Sequence, residues 1–183
     1  CTVRKTTTKV WDPFVRVFHW LLVGSVFAAW WTRHGFGRTH EWIGYVPLGL
    51  VALRLVWGFL GPRRARFSQF VRAPGHTALY SRNLIRGEAA RYLGHNPLGG
   101  WMTVILLCMV ILVSGSGWLY TTDRFWGLEW VENLHNGLTN VLIGLVGVHL
   151  LGVAWSSFKH RENLVASMIH GRKRMAAQND IDD

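Results

Sequence analysis

Four histidines carry the chemistry this sequence can do. His135 and His149 lie fourteen residues apart, joined by Asn-Gly-Leu-Thr-Asn-Val-Leu-Ile-Gly-Leu-Val-Gly-Val. On a helix, fourteen steps make nearly four turns, so both imidazoles share one face. The rise between them is about 21 Å, most of a bilayer's hydrocarbon thickness. Ionisable side chains at such depth are costly and mark function. Two ring nitrogens on one helical face, one toward each side of a membrane, fit two stacked haems.

Of the nine histidines, His34, His76, His95, His160 and His170 fall in connectors or the tail, where a solvated ring is the default. His19, His40, His135 and His149 fall in spans or at their mouths, and depth pairs them. The first span runs outward and the fourth inward, so His19 and His149 share the inner half. His40 and His135 open the second and fourth spans at the outer side. Each pair can supply both axial nitrogens of one haem b, and the third span supplies none. Zinc fits less well, because its structural sites gather about four ligands on one ion. Arg54 follows His40 by fourteen residues and so shares its face in the inner half. No Asp or Glu falls in a span core, which makes a haem propionate the expected partner of Arg54. Arg16, one turn before His19, is a second candidate propionate partner, with snorkelling to lipid headgroups as the alternative.

Four apolar stretches position these residues, over about 13–31, 41–60, 98–120 and 133–158. Each is long enough to cross a bilayer, and Trp101–Val113 lacks the polar stripe of a soluble helix. The expected architecture is an all-α integral membrane four-helix bundle, one domain over residues 1–183. The net charge of +10 is distributed by topology. Residues 1–12, 61–97 and 159–183 hold 3, 7 and 5 Lys or Arg, against 2 and 1 in residues 32–39 and 121–132. The positive-inside rule then places both termini, the loop 61–97 and the tail 159–183 in the cytoplasm. This pattern opposes a nucleic-acid role.

Local signals fix the ends of the spans. Asp12-Pro13 starts the first, Thr39 caps the second with Glu41 in its first turn, Gly61-Pro62 stops the second, and Asn96-Pro97 opens the third. Trp11–Trp31 reads as a retained span rather than a cleaved signal. In the loop, residues 77–86 fit either a short helix on an anionic membrane surface or an irregular solvated segment. Ser114-Gly-Ser-Gly117 and Gly137, Gly144 and Gly147 admit close helix packing or a flat macrocycle. The tail after Gly171 is expected to fray. Cys108 reads as an inert packing residue, Cys1 could be modified, and the absence of Cys-x-x-Cys-His excludes covalent c-type attachment.

Trp11-Asp-Pro-Phe-Val-Arg-Val-Phe-His19-Trp20, His40-Glu-Trp-Ile-Gly44, Leu53-Arg54-Leu-Val-Trp57-Gly58, Tyr92-Leu-Gly-His-Asn-Pro-Leu-Gly-Gly100 and the His135…His149 span together form a specific pattern. Over nearly its whole length the chain resembles the bacterial cytochrome b561 and nickel-hydrogenase b-type cytochrome family. The resemblance implies two non-covalent haems b with the same ligand pairing, a bacterial cytoplasmic membrane, and electron exchange with quinone. It also implies a redox partner on the outer side, such as a c-type cytochrome or a hydrogenase. The residues after the fourth span read as a short tail, which sets the expectation apart from the larger hydrogenase-type members that carry an extra segment there.

Two axial nitrogens on each iron leave no open position, which favours electron transfer over oxygen chemistry. The expected function is a di-haem membrane cytochrome linking quinone to that outer partner, either as a carrier or as a subunit of a quinone-linked oxidoreductase. Superoxide:quinone oxidoreduction is the alternative, opposed by Glu41, Asp123, Glu129 and Glu132 at the outer side. A haem-free membrane anchor is a third reading. His95, at the inner mouth of the third span, is a speculative quinone contact against the default of a loop histidine.

Overall fold

The computed structural model describes residues 7–35, 37–175 and 181; Cys1 lies outside them. In chain order the elements are β1 (Thr7–Lys9), α1 (Pro13–Trp31), α2 (Gly37–Leu60), a 3-10 turn (Arg63–Ala65), α3 (Phe67–Phe70), α4 (Pro74–Ile85), α5 (Pro97–Tyr120), α6 (Glu129–His160), α7 (Leu164–His170) and β2 (Arg172–Arg174). Helices α1, α2, α5 and α6 are each long and apolar enough to cross a membrane. Their outward surfaces are those of lipid-facing helices. Val17 is 60% exposed, Leu53 58% and Leu151 72%. Such surface is stable in hydrocarbon and unfavourable in water. The protein is therefore an all-α membrane protein.

The span ends follow from local chemistry. The Asp12 carboxylate accepts from the Val15 amide at 3.2 Å and so caps α1. The Asn96 side chain accepts from the Gly99 amide at 2.7 Å and caps α5. Helix α2 stops at Leu60, just before Gly61-Pro62. At its other end, α2 begins at Gly37 rather than after Thr39, so Thr39 lies within its first turn. Pro47 sits inside α2, a position that costs a soluble helix dearly and that membrane helices tolerate.

The chain divides into two compact units, cut across the long helices. The first comprises residues up to Arg16, Trp57–Thr103 and His149 onward. It gathers the three basic segments. Strand β1 pairs antiparallel with β2, Thr8 opposite Lys173. The amides of Val10 and Trp11 donate to the Gly171 carbonyl at 2.9 and 3.2 Å. Gly171 holds φ +80° as the left-handed cap of α7, a conformation that glycine adopts without strain. The expected fraying is thus overturned for residues 172–174: the β1 ladder and Glu162, which accepts from the Arg174 amide at 2.7 Å, hold them in place. Glu162 also receives the Arg91 guanidinium at 2.9 Å, and the two side chains are only 10% and 6% exposed. Residues 74–85 form the helix α4 rather than an irregular loop. At Gly58, an added Cβ would lie 2.0 Å from the Phe67 ring, so the ring packs directly on the α2 backbone there and would have to shift for any larger residue.

The second unit comprises Val17–Val56 and Val104–Val148. It contains stretches of all four long helices and ties them by polar contacts. The His40 ring meets the Ala29 carbonyl, joining α2 to α1. Tyr45 meets Thr121 just past the end of α5, and His135 on α6 meets Ser116 on α5. Cys108 lies on an exposed face of α5, so it is not the interior packing residue expected of a mid-span thiol.

Candidate haem-binding site

The second unit brings His40 and His135 together. Their ring centroids are 6.2 Å apart and their planes lie at 80°. A metal–imidazole bond of about 2 Å and a further ~1.1 Å from nitrogen to ring centre place two axial rings on one iron about 6.2 Å apart. The spacing therefore suits a single metal centre held by two imidazoles.

The outer nitrogens of both rings are oriented. Nδ1 of His40 lies 2.9 Å from the Ala29 carbonyl oxygen, where it can only donate. Nδ1 of His135 lies 3.1 Å from the Val113 carbonyl and 3.1 Å from Ser116 Oγ. Ser116 in turn donates its hydroxyl proton to the same carbonyl at 2.9 Å. Carbonyl acceptors fix the Nδ1–H tautomer on both rings and leave each Nε2 lone pair available for a metal. Gly117 completes the seat of His135, since a Cβ there would stand 3.0 Å from Cε1. Elsewhere, Cβ positions built at Gly44, Gly137, Gly144 and Gly147 meet nothing within 4 Å. Gly137, Gly144 and Gly147 lie on exposed faces of α6, so these glycines do not serve close helix packing. The donor set, two imidazoles with their outer nitrogens on carbonyls, fits a haem.

Ala29, Val113, Ser116 and Gly117 were not singled out as site residues by sequence reasoning. Two of these contacts are backbone carbonyls, which no side-chain pattern reveals. Ser116-Gly117 was visible as part of a small-residue run near the outer end of the third span, and its depth could have matched it to His135.

The remaining candidates are placed separately. His19 lies in the second unit, partly buried, with its ring edge-on to Trp20 at 5.2 Å. His149 lies at the first unit's α6 segment, also partly buried. Arg54 is 2% exposed within α2. Arg16 donates to the Ile169 carbonyl, where the negative end of α7 favours a cation. His95 is packed in the first unit against Trp11 at 4.8 Å and Phe70 at 4.5 Å.

The family model for prokaryotic cytochrome b561 matches residues 10–171. No curated protein and no solved structure matches the chain. The family match takes in all four spans and all four candidate ligands, and it sets aside the haem-free anchor. The chain belongs to the prokaryotic cytochrome b561 family, and it is a multi-pass membrane cytochrome that binds b-type haem and takes part in electron transfer.

Proposed function

We propose that this protein binds two haems b and carries electrons between the quinone pool and a redox partner on the outer side, a c-type cytochrome or a hydrogenase-like protein. His40 and His135 are the axial ligands of the outer haem; His19 and His149 are those of the inner haem. The observation that carries the reading is the 6.2 Å ring spacing of His40 and His135, with both Nδ1 atoms turned toward backbone carbonyls. The inner pair is supported by helical geometry: His149 follows His135 by about 21 Å on the same face of α6.

Haem held by these histidines would supply a one-electron couple. The polypeptide orients and tunes. The Ala29 and Val113 carbonyls fix the tautomers of His40 and His135, and Gly117 sets how far His135 can lean toward α5. Arg54 offers a planar guanidinium to a propionate of the inner haem. Arg16 can join it only through the nitrogens not bound to Ile169. Because four spans return the chain to its starting side, the pairing of β1 with β2 and the basic excess of that unit support termini in the cytoplasm of a bacterial inner membrane.

The test is electron transfer by the purified, haem-loaded protein. Quinol should reduce both haems, and an oxidised basic c-type cytochrome should reoxidise them. Rapid superoxide-dependent quinone reduction without any partner would overturn the carrier reading in favour of a self-contained oxidoreductase.

A further inference from the structure

Helix α4 is not used by the haem site, yet it is built for a particular environment. It begins where the preceding segment is fastened to the first turns of span α5. Trp101 Nε1 donates to the Arg72 carbonyl at 3.0 Å. The Phe70 carbonyl lies so near Gly100 that a Cβ there would stand 2.4 Å away. Residues 70–72 are therefore held at the mouth of a membrane span, and α4 starts two residues later. Its inward side is settled by Tyr80, which is buried and packs edge-on against Tyr92 at 5.6 Å.

The outward side carries Ala78, Leu79, Arg82, Ile85 and Arg86, all exposed. At about 100° per residue these five fall within an arc of about 120°. The arginines occupy its middle, with Ile85 and Leu79 toward its edges. Leu79 is 46% exposed and Ile85 89%. Residues 61–90 hold six arginines and a single acidic residue, Glu88. Water alone gives no reason to flank arginines with bare Leu and Ile. An anionic headgroup layer does: the guanidiniums meet phosphates while the aliphatic side chains reach the acyl boundary.

We propose that the outward face of α4 docks onto an anionic phospholipid leaflet, with Arg82 and Arg86 on lipid phosphates and Leu79 and Ile85 flanking them against the acyl boundary. The test uses the full-length, haem-loaded protein with Cys1→Ser and Cys108→Ala, carrying a nitroxide at Leu79→Cys or Ile85→Cys. It is reconstituted in nanodiscs of phosphatidylcholine, alone or mixed equally with phosphatidylglycerol. With phosphatidylglycerol, both labels should be shielded from a water-soluble nickel relaxant and open to oxygen. The shielding should fall in phosphatidylcholine alone. Replacing Arg82→Gln and Arg86→Gln should weaken the preference for the anionic disc by about fivefold per arginine. Inorganic phosphate added to phosphatidylcholine discs should not restore the shielding. Equal nickel access in both discs would overturn the proposal and leave the face to a protein partner. Equal shielding in both discs, unaffected by the arginine variants, would overturn it in favour of lipid contact without headgroup recognition.

Discussion

Gly117 and Gly115 lie two positions apart on α5, about 200° around the helix from each other, and they should respond oppositely to the same methyl group. At Gly117 an added Cβ stands 3.0 Å from Cε1 and 3.3 Å from Nδ1 of His135. Ordinary carbon contacts need about 3.5 Å or more, so the ring must move by about 0.5 Å. It cannot do so freely, because its Nδ1 is held to Val113 and Ser116 of the same helix. A shift of that size is about the tolerance of a preorganised ligand. Overpacking of this kind costs about 1–3 kcal/mol, equivalent to roughly 5- to 150-fold weaker retention of the haem held by His135. At Gly115 nothing lies within 4 Å. Gly115→Ala brings the same gain in helix propensity without the clash, so the intrinsic propensity change cancels between the two variants. Haem content per polypeptide and a redox titration resolved into its components provide the assay. Gly115→Ala should match the parent protein, whereas Gly117→Ala should lose, or shift in potential, one haem of the two. A Gly117→Ala protein indistinguishable from Gly115→Ala in both measurements would refute the assignment of this space to His135 as a ligand.

Three further outcomes follow from other residues. Burial opposes the charge of Glu162, but hydrogen bonds from the Arg174 amide and Arg91, with the nearby charges of Arg91 and Lys173, outweigh it and hold its carboxyl below the usual value. Its contribution is complete above the ordinary carboxylate range and is lost as pH falls through the depressed value. Hydrogen-exchange protection of β2 should therefore decline as pH falls from the ordinary carboxylate range through the depressed value, while Glu162→Gln should lower it at neutral pH, by about 3 kcal/mol, and remove the acid step; an unchanged acid step in Glu162→Gln would contradict this. Arg54→Leu should lower the potential of one haem only. Removing a unit charge near one haem at an effective dielectric constant of ~20 should shift that haem by several tens of millivolts, and equal shifts of both haems would argue against its place at the inner one. His95→Phe keeps the aromatic packing on Trp11 and Phe70; if His95 contacts quinone, the KM for quinol rises at constant haem content, and an unchanged KM returns it to a packing role.

Much of the architecture was legible because a membrane leaves few choices. Runs such as Trp101–Val113 have to be spans, and Asp12-Pro13, Gly61-Pro62 and Asn96-Pro97 mark ends by simple capping and breaking rules. The His40–His135 approach was legible too, since both residues open spans at the same side. What escaped depends on tertiary partners. Residues 172–174 read as a fraying tail because their order comes from β1 at the far end of the chain and from Glu162. Thr39 reads as a cap, although α2 has already begun at Gly37. The contact of Arg16 with the Ile169 carbonyl is hidden from sequence because a backbone group carries no side-chain pattern. Ala29 and Val113, which orient the candidate ligands, are hidden for the same reason.

The central claim, two haems each held by two histidines, is tested most directly by counting haem per polypeptide in the parent and in His40→Ala, His19→Ala and the double variant. Pyridine haemochrome quantitation should give two, one, one and none, with the two single variants retaining haems of different potential. A parent protein with one haem, or single variants that keep both, would contradict it.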